Sequence, residues 1–302
     1  LFDADGQPTS GEIVVADEGV VASPDVVFDP VGLRYLVVWT RSAVAKTAQA
    51  GDGVFGRYLD LDGGTTGDTV RLVEEGPGAI DTAATAVNPD GDVLVVWDRA
   101  DAAGFLDVFG RRFDGQLQPK DAAVMLNLDT WRNQQAPVVA AGVDGSFVVM
   151  WHGPSLPDNL GAREPGTDVF ATTVEFSPKA INPEVPVHTE IVGTQSGPMV
   201  VSTAAGDCWA AWNDHGGLAA AGIFGRLLPS CNPAGPSETI VLSDPNQDAN
   251  LRDPDLAWSP QAVLTVVFAR DDVKEGDGGI SGQGFSVSPN PPPRRPHGRH
   301  EP

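Results

Sequence analysis

Two aspartates far apart in this 302-residue sequence carry the pattern most suggestive of chemistry. Asp25 and Asp255 each follow a proline, in PDVVFD and PDLAWS. These segments belong to the first and last of five repeats, so a chain closed into a ring would make them neighbours. Paired carboxylates about 5–10 Å apart are the equipment of glycoside hydrolysis. No third acid shares the slot, where Ala84, Val138 and Met199 stand in the other repeats. A second candidate chemistry is calcium binding. DADG (3–6) and DLDG (60–63) place Asp3, Asp5, Asp60 and Asp62 at alternate positions, and Ca²⁺ selects hard oxygen ligands of this kind. Neither stretch is a complete EF-hand loop, and Asp with Gly equally supplies the geometry of a tight turn. Calcium is the one cofactor the sequence suggests.

Other chemistries find no support. The serine in GTQSG (193–197) lacks the G-x-S-x-G spacing of a nucleophile elbow. The histidines, at 152, 188, 215, 297 and 300, form no HExxH or paired i, i+4 ligand set. No glycine-rich loop leads into a helix, which removes the usual nucleotide cradle. A further polar set follows five aromatic anchor residues: Arg41, Asp98, Arg99, His152, Asn213, Asp214, His215, Arg270, Asp271 and Asp272. These positions read as loops leaving one face of a repeated scaffold. They differ from repeat to repeat while the flanking strands stay constant, the pattern of a binding surface on a rigid frame. The alternative is a solvated hairpin rim.

The elements that must position these residues are written as a repeat. YLVVW (35–39), VLVVW (93–97), FVVMW (147–151), CWAAW (208–212) and LTVVF (264–268) are five versions of one apolar strand. Their anchors Trp39, Trp97, Trp151, Trp212 and Phe268 are spaced by 58, 54, 61 and 56 residues. A proline lies fourteen residues before three of them (Pro137, Pro198, Pro254), Pro24 lies fifteen before Trp39, and Ala83 fills the slot in the second copy. After each anchor comes a strand of the form VFGR: VFGRYL, VFGRRF, VFATTV, IFGRLL and ISGQGF. A short alternating strand completes each unit: EIVVAD (12–17), TVRLVE (69–74), AVMLNL (123–128), EVPVHT (184–189) and TIVLSD (239–244). Turns such as NPDG (88–91) join the first two strands as hairpins.

A four-stranded antiparallel unit of this length cannot bury both its faces alone, and radial stacking solves that problem. The expected fold is therefore all-β, a five-bladed β-propeller over residues 1–288, with a larger propeller lacking blades or a pair of β-sandwiches as alternatives. The N- and C-terminal segments are expected to clasp the ring, because LFDADGQ matches the end of a VFGRxFD strand and GISGQGF its beginning. Each anchor Trp is expected in the core, covering the motif glycine on its paired strand (Gly56, Gly110, Gly225), with Ala171 in the third copy. Residues 289–302 are proline-rich and basic, and read as a tail or linker able to dock on an acidic surface.

Charge narrows the partners. Lys plus Arg is 19 against 41 Asp plus Glu, a net charge of −22. Such a surface repels phosphates, so nucleic acid and anionic membranes are not expected partners, and no apolar run is long enough to span a bilayer. Cys208 and Cys231 flank a predicted hairpin, which makes a disulfide geometrically feasible and suits an oxidising compartment. The alternative is two unrelated small buried residues. A start at Leu1 fits either a processed export signal or a truncation.

DGSFVVMW and DVFGRRFDG resemble a repeat of bacterial secreted and surface proteins in which DGxFVVVW alternates with VFGQRFDxxG. The resemblance covers about residues 1–287 and is weakest in the fifth copy, which lacks both Trp and the FG dipeptide. It implies blades of a propeller on a secreted, periplasmic or cell-surface protein, and brings no catalytic residues. On this evidence the expected function is a non-catalytic interaction or structural module with a protein partner. The alternative is a carbohydrate-binding or polysaccharide-active propeller using a central channel.

Overall fold

The computed structural model describes residues 7–16, 20–42, 53–74, 78–155, 166–176, 179–188, 193–215, 222–235, 239–242, 250–259, 261, 263–271 and 278–286. Among these residues twenty strands form five antiparallel sheets, each built from neighbours in sequence. The first holds β1 (Val20–Asp29), β2 (Arg34–Ser42), β3 (Gly53–Leu59) and β4 (Thr65–Val73). The second holds β5 (Ile80–Val87), β6 (Val93–Ala100), β7 (Leu106–Phe113) and β8 (Val124–Met125). In the third, β9 (Gln135–Ala141), β10 (Phe147–Pro154) and β11 (Thr167–Phe176) are edged by two short pieces, β12 (Lys179–Ile181) and β13 (Val185–Pro186). The fourth holds β14 (Thr194–Ser202), β15 (Cys208–His215), β16 (Gly222–Leu228) and β17 (Thr239–Val241). The fifth has three strands, β18 (Asn250–Trp258), β19 (Val263–Asp271) and β20 (Gly278–Ser286).

The repeat read from the sequence is a repeat in register. Trp39 pairs with Phe55, Trp97 with Phe109, Trp151 with Phe170, Trp212 with Phe224, and Phe268 with Ser281. Successive residues of a strand point to opposite faces. The glycine one step on therefore lies opposite Val38, Val96 or Ala211 rather than opposite the tryptophan. The expectation that each Trp covers the glycine of its own sheet is corrected accordingly. Trp39 and Trp97 instead stack on their paired phenylalanines, at 6.3 and 6.0 Å between ring centres.

What fills the space above the glycine is a leucine from the outermost strand. A Cβ added to Gly56 would lie 2.8 Å from Leu72 Cδ1, and one added to Gly110 would lie 3.1 Å from Leu126 Cδ1. Leu242 stands in the same relation to Gly225. The third sheet substitutes both partners at once, with Ala171 in place of glycine and Val187 in place of leucine. The methyl added on one strand is matched by a smaller side chain on the next, and both residues are fully buried. Leu72, Leu126, Val187 and Leu242 then reach the cores between sheets. Each core also receives the anchor of the following sheet: Leu72 with Trp97, Leu126 with Trp151, Val187 with Trp212, and Leu242 with Phe268. Fully burying such side chains contributes about 1.5–3 kcal/mol each.

These four cores join the five sheets in sequence order. Among the described residues no fifth core joins the last sheet to the first, so closure of the ring is not seen. The segment EIVVAD, expected as one copy of the short fourth strand, does not form one over its described residues. Residues 12–16 carry no strand, and Val15 accepts a long hydrogen bond from Arg57 Nη1 at 3.5 Å. The tail 289–302 lies outside the described residues, as do Asp3 and Asp5.

Cys208 and Cys231 are joined in a disulfide, with Cα atoms 4.7 Å apart, and both are buried in the core between the third and fourth sheets. Cross-linking a loop of this length constrains the unfolded chain by roughly 3 kcal/mol. No helix among the described residues is long and apolar enough to cross a membrane.

The paired substitution in the third sheet defines a test. Gly56→Ala is expected to cost about 1–3 kcal/mol by overpacking Leu72. Adding Leu72→Val should restore most of that loss in a denaturant melt. A neutral single variant, or a double variant no better than the single, would contradict this packing account.

Candidate functional site

The inner strands β1, β5, β9, β14 and β18 line a shared channel of about 550 Å³. Most of the side chains on its wall are aliphatic, such as Val27, Ala86, Val139, Val200 and Leu256, with Thr85 and Ser202 adding polar groups beside exposed backbone. The carboxylates on it are Asp25 and Asp255. The two occupy the same register position: Asp25 lies opposite Val38 and Asp255 opposite Val267, just as Ala84, Val138 and Met199 lie opposite Val96, Met150 and Ala211.

Every inner strand is bulged just before this position: directly before it in four sheets, between Ala22 and Asp25, Gln135 and Val138, Ser196 and Met199, and Arg252 and Asp255, and one residue earlier in the second, between Ile80 and Ala83. In four of the five, the bulge contains a left-handed residue directly before a proline: Ser23 (φ 48°), Ala136 (53°), Gly197 (58°) and Asp253 (53°). Proline disfavours the α region in the residue before it, and a left-handed conformation is costly for non-glycine residues, so tertiary contacts must hold these bulges. Together they form a mouth of about 330 Å³ that Asp25 also lines.

Asp25 is half-buried. Its Oδ2 accepts a hydrogen bond from Thr85 N on the neighbouring sheet at 2.7 Å, and its Oδ1 one from Val26 N at 2.9 Å. Burial pushes its pKa up, the two backbone bonds oppose that rise, and the negative charge of Asp255 adds to it. Asp255 is exposed, with Oδ1 accepting from Leu256 N at 2.8 Å.

The polar set after the anchors lies on strands rather than in loops, because β2, β6, β10, β15 and β19 run three residues past each anchor. In the first four sheets the first residue past the anchor is polar and turns toward the bulge of the inner strand, whereas the fifth has Ala269 there. Thr40 Oγ1 donates to Ala22 O at 3.0 Å in the first sheet. Asp98, 1% exposed, accepts from Asp81 N, Thr82 N and Thr82 Oγ1, and reaches the next sheet through Ala136 N at 3.0 Å. Burial raises the pKa of Asp98, and its hydrogen bonds pull the other way. Asn213 is buried with its amide against Gly197. In the third sheet Gln135 Nε2 approaches His152 Nε2 at 3.0 Å. With the amide donating, that nitrogen must be unprotonated, in line with burial lowering the His152 pKa to about 4.

The remaining members are dispersed. Arg41 lies 4.2 Å over the Phe55 ring, and Arg99 donates to Glu74 O at 2.9 Å. Asp214 is buried, and His215 ends β15. Arg270 and Asp271 end β19, and Asp272 lies outside the described residues. Asp60 Oδ1 accepts from Asp62 N and Gly64 N, the bonds of a tight turn. Among the described residues no group of three or more metal-ligating side chains gathers. Sequence reasoning passed over Trp131, which anchors no strand yet is 41% exposed beside His152. Its signal was that it stands outside the repeat.

No family model matches the chain, and no curated protein does. Solved structures do resemble it. A protein of unknown function from Dyadobacter fermentans is 14% identical, with a TM-score of 0.64 over 95% of this chain and 82% of that one. A thermostable family-43 glycoside hydrolase is 12% identical, with a TM-score of 0.51 over 94% of this chain and 100% of that one. An α-L-arabinofuranosidase from Fusarium graminearum, solved with an iminosugar inhibitor, is 11% identical, with a TM-score of 0.56 over 84% and 72%. The shared property is the fold. These neighbours overturn the expectation of a non-catalytic interaction module. Glycoside hydrolases are carried on this architecture, so the regularity of the repeats is no argument for a scaffold role.

The clamp at His152 predicts a pH effect. The folded state holds this imidazole neutral down to about pH 4, whereas in the unfolded chain it titrates near 6.5. Its contribution is complete above pH 6.5 and is lost as the pH falls toward 4. Asp25 and Asp98, with raised values, act in the opposite sense, so the diagnostic is a difference. Melting temperatures of wild type and His152→Gln should diverge from their neutral-pH offset between pH 6.5 and 4. Parallel curves would refute a neutral, bulge-holding His152.

Proposed function

We propose that this chain is a carbohydrate-active β-propeller whose five sheets close into a ring, bringing Asp25 and Asp255 together at the mouth of the channel. The observation that carries the reading is the pair itself: two carboxylates at one register position, on the first and last inner strands, among mostly aliphatic side chains. Exposure along the open seam supports closure. Val26 is 61% exposed, while Thr85, at the same position in the second sheet, is 4% exposed. A neighbouring sheet would cover Val26 as it covers Thr85. The segment 12–17 supplies the outer strand for the last sheet, with Val15 at the position of Leu72, Leu126, Val187 and Leu242.

The chemistry follows from the difference between the two environments. Burial favours the protonated form of Asp25, which suits a general acid protonating the leaving oxygen of a glycosidic bond. Asp255, in solvent, suits the second carboxylate, which activates water or attacks the anomeric carbon. The aliphatic side chains below the mouth take the C–H faces of a sugar, and Thr85, Ser202 and exposed backbone are available to its hydroxyls. The disulfide fits a protein of an oxidising compartment, and export is part of the proposal.

The test is hydrolysis of arabinan, xylan and galactan oligosaccharides by the full chain, read by release of reducing ends. Asp25→Asn and Asp255→Asn should each lower the rate by about 10²-fold or more, the usual contribution of a positioned acid or base. Absence of hydrolysis across the panel, or full activity in both variants, would reject the proposal.

A further inference from the structure

A second cleft, of about 530 Å³, opens between the second and third sheets, away from the channel carboxylates. Its floor includes His152 and Gln135, and its rim carries two exposed aromatic rings, Phe105 (45%) and Trp131 (41%). The guanidinium of Arg132 lies 4.6 Å over the Trp131 ring, and Asn133 and Thr167 add polar groups to the lining. Among the described residues that line this cleft, the charged side chain is the guanidinium of Arg132.

The rim is held in place from several sides. Leu128 N and Asp129 N donate to Glu184 at 2.8 and 3.3 Å, and Trp131 N donates to Asp129 Oδ1 at 2.9 Å. Leu106 N donates to Asn133 Oδ1 at 3.2 Å, and Gln134 N returns a bond to Leu106 O at 2.7 Å. Gln134 is buried, and its Oε1 accepts from Trp151 Nε1 at 3.1 Å, tying the loop to a core anchor. An added Cβ on Gly153 would occupy the place of that carboxamide and displace it from Trp151. On the other wall Asp101 Oδ1 caps the turn that presents Phe105, accepting from Ala103 N and Phe105 N. Ordering of this kind lowers the entropic cost of binding.

We infer that this cleft is a binding subsite for an acidic sugar residue, a uronic acid within a polysaccharide. The exposed faces of Phe105 and Trp131 meet the C–H face of the pyranose. Arg132, whose planar fork matches a carboxylate and whose stack on Trp131 restrains it, pairs with the uronate. Asn133 and Thr167 remain for the hydroxyls. The inference rests on the carbohydrate reading and names the charge class of its ligand at a place distinct from Asp25 and Asp255.

The experiment is calorimetric titration of the full chain with tetragalacturonate and with its methyl ester, the same sugar without the charge. The acid should bind about tenfold or more tighter than the ester. Arg132→Gln should abolish that preference, and Trp131→Ala should weaken both ligands, with melting temperatures of both variants close to wild type as expected for exposed positions. Asp25→Asn should leave all of this unchanged, which separates the subsite from the channel chemistry. Equal affinity for acid and ester, a preference that survives Arg132→Gln, or no binding of either would overturn the inference, whatever the result with neutral glycans at the channel.

Discussion

The approach of an outer-strand leucine to the bare backbone of a third-strand glycine sets the geometry on which the other contacts depend. Each sheet is apolar on both faces, so it must be covered on both. Leucine over glycine lets the fourth strand tuck its side chain into the inter-sheet core beside the next sheet's anchor, as Leu72 does beside Trp97. A larger residue at Gly56 or Gly110 would push that leucine away. The third sheet shows the constraint acting as a volume rule, since alanine there is matched by valine. Interiors packed to crystal density tolerate such paired changes better than single ones.

With the sheets locked to one another, the inner strands can carry strain at their mouth ends. Four bulges, each with a left-handed residue before proline, stand at one level and the fifth one residue away, and polar groups from the second strands hold several of them. The bulges end the regular ladder and expose the first residue below it to the channel. At that level the sheets offer alanine, valine or methionine three times and aspartate twice. Chemistry is thus placed by a register that all five sheets share, while the side chain at the shared position varies.

Much of the fold was legible because its signals are local and recur. Anchor spacing, the VFGR phrase and hairpin turns such as NPDG marked the sheets and their strand order, and the cysteines proved to be paired. Which face a residue serves was harder to read. Trp97 and Gly110 lie on paired strands, yet the one-residue offset in register turns them to opposite faces. Asp98 and Asn213 were read as loop residues because polar character follows the apolar run. Their strands in fact continue, and the side chains are spent on bulges that no local pattern announces. The aromatic cleft was missed for a related reason: Phe105 and Trp131 come from the connections before and after β7 and β8, and only the packing of two sheets brings them together.

The central claim is that the first and fifth sheets stand next to each other as the second and third do, so that Asp25 and Asp255 share one mouth. A spin-label distance measurement tests it directly. Labels at Val31 and Gln261 sit in the inner hairpin turns of the first and fifth sheets, and labels at Asp90 and Val143 sit in the matching turns of the second and third. The account predicts a single narrow distribution for each pair, at nearly the same distance. A longer or broad distribution for Val31 and Gln261, beside a narrow one for Asp90 and Val143, would contradict it.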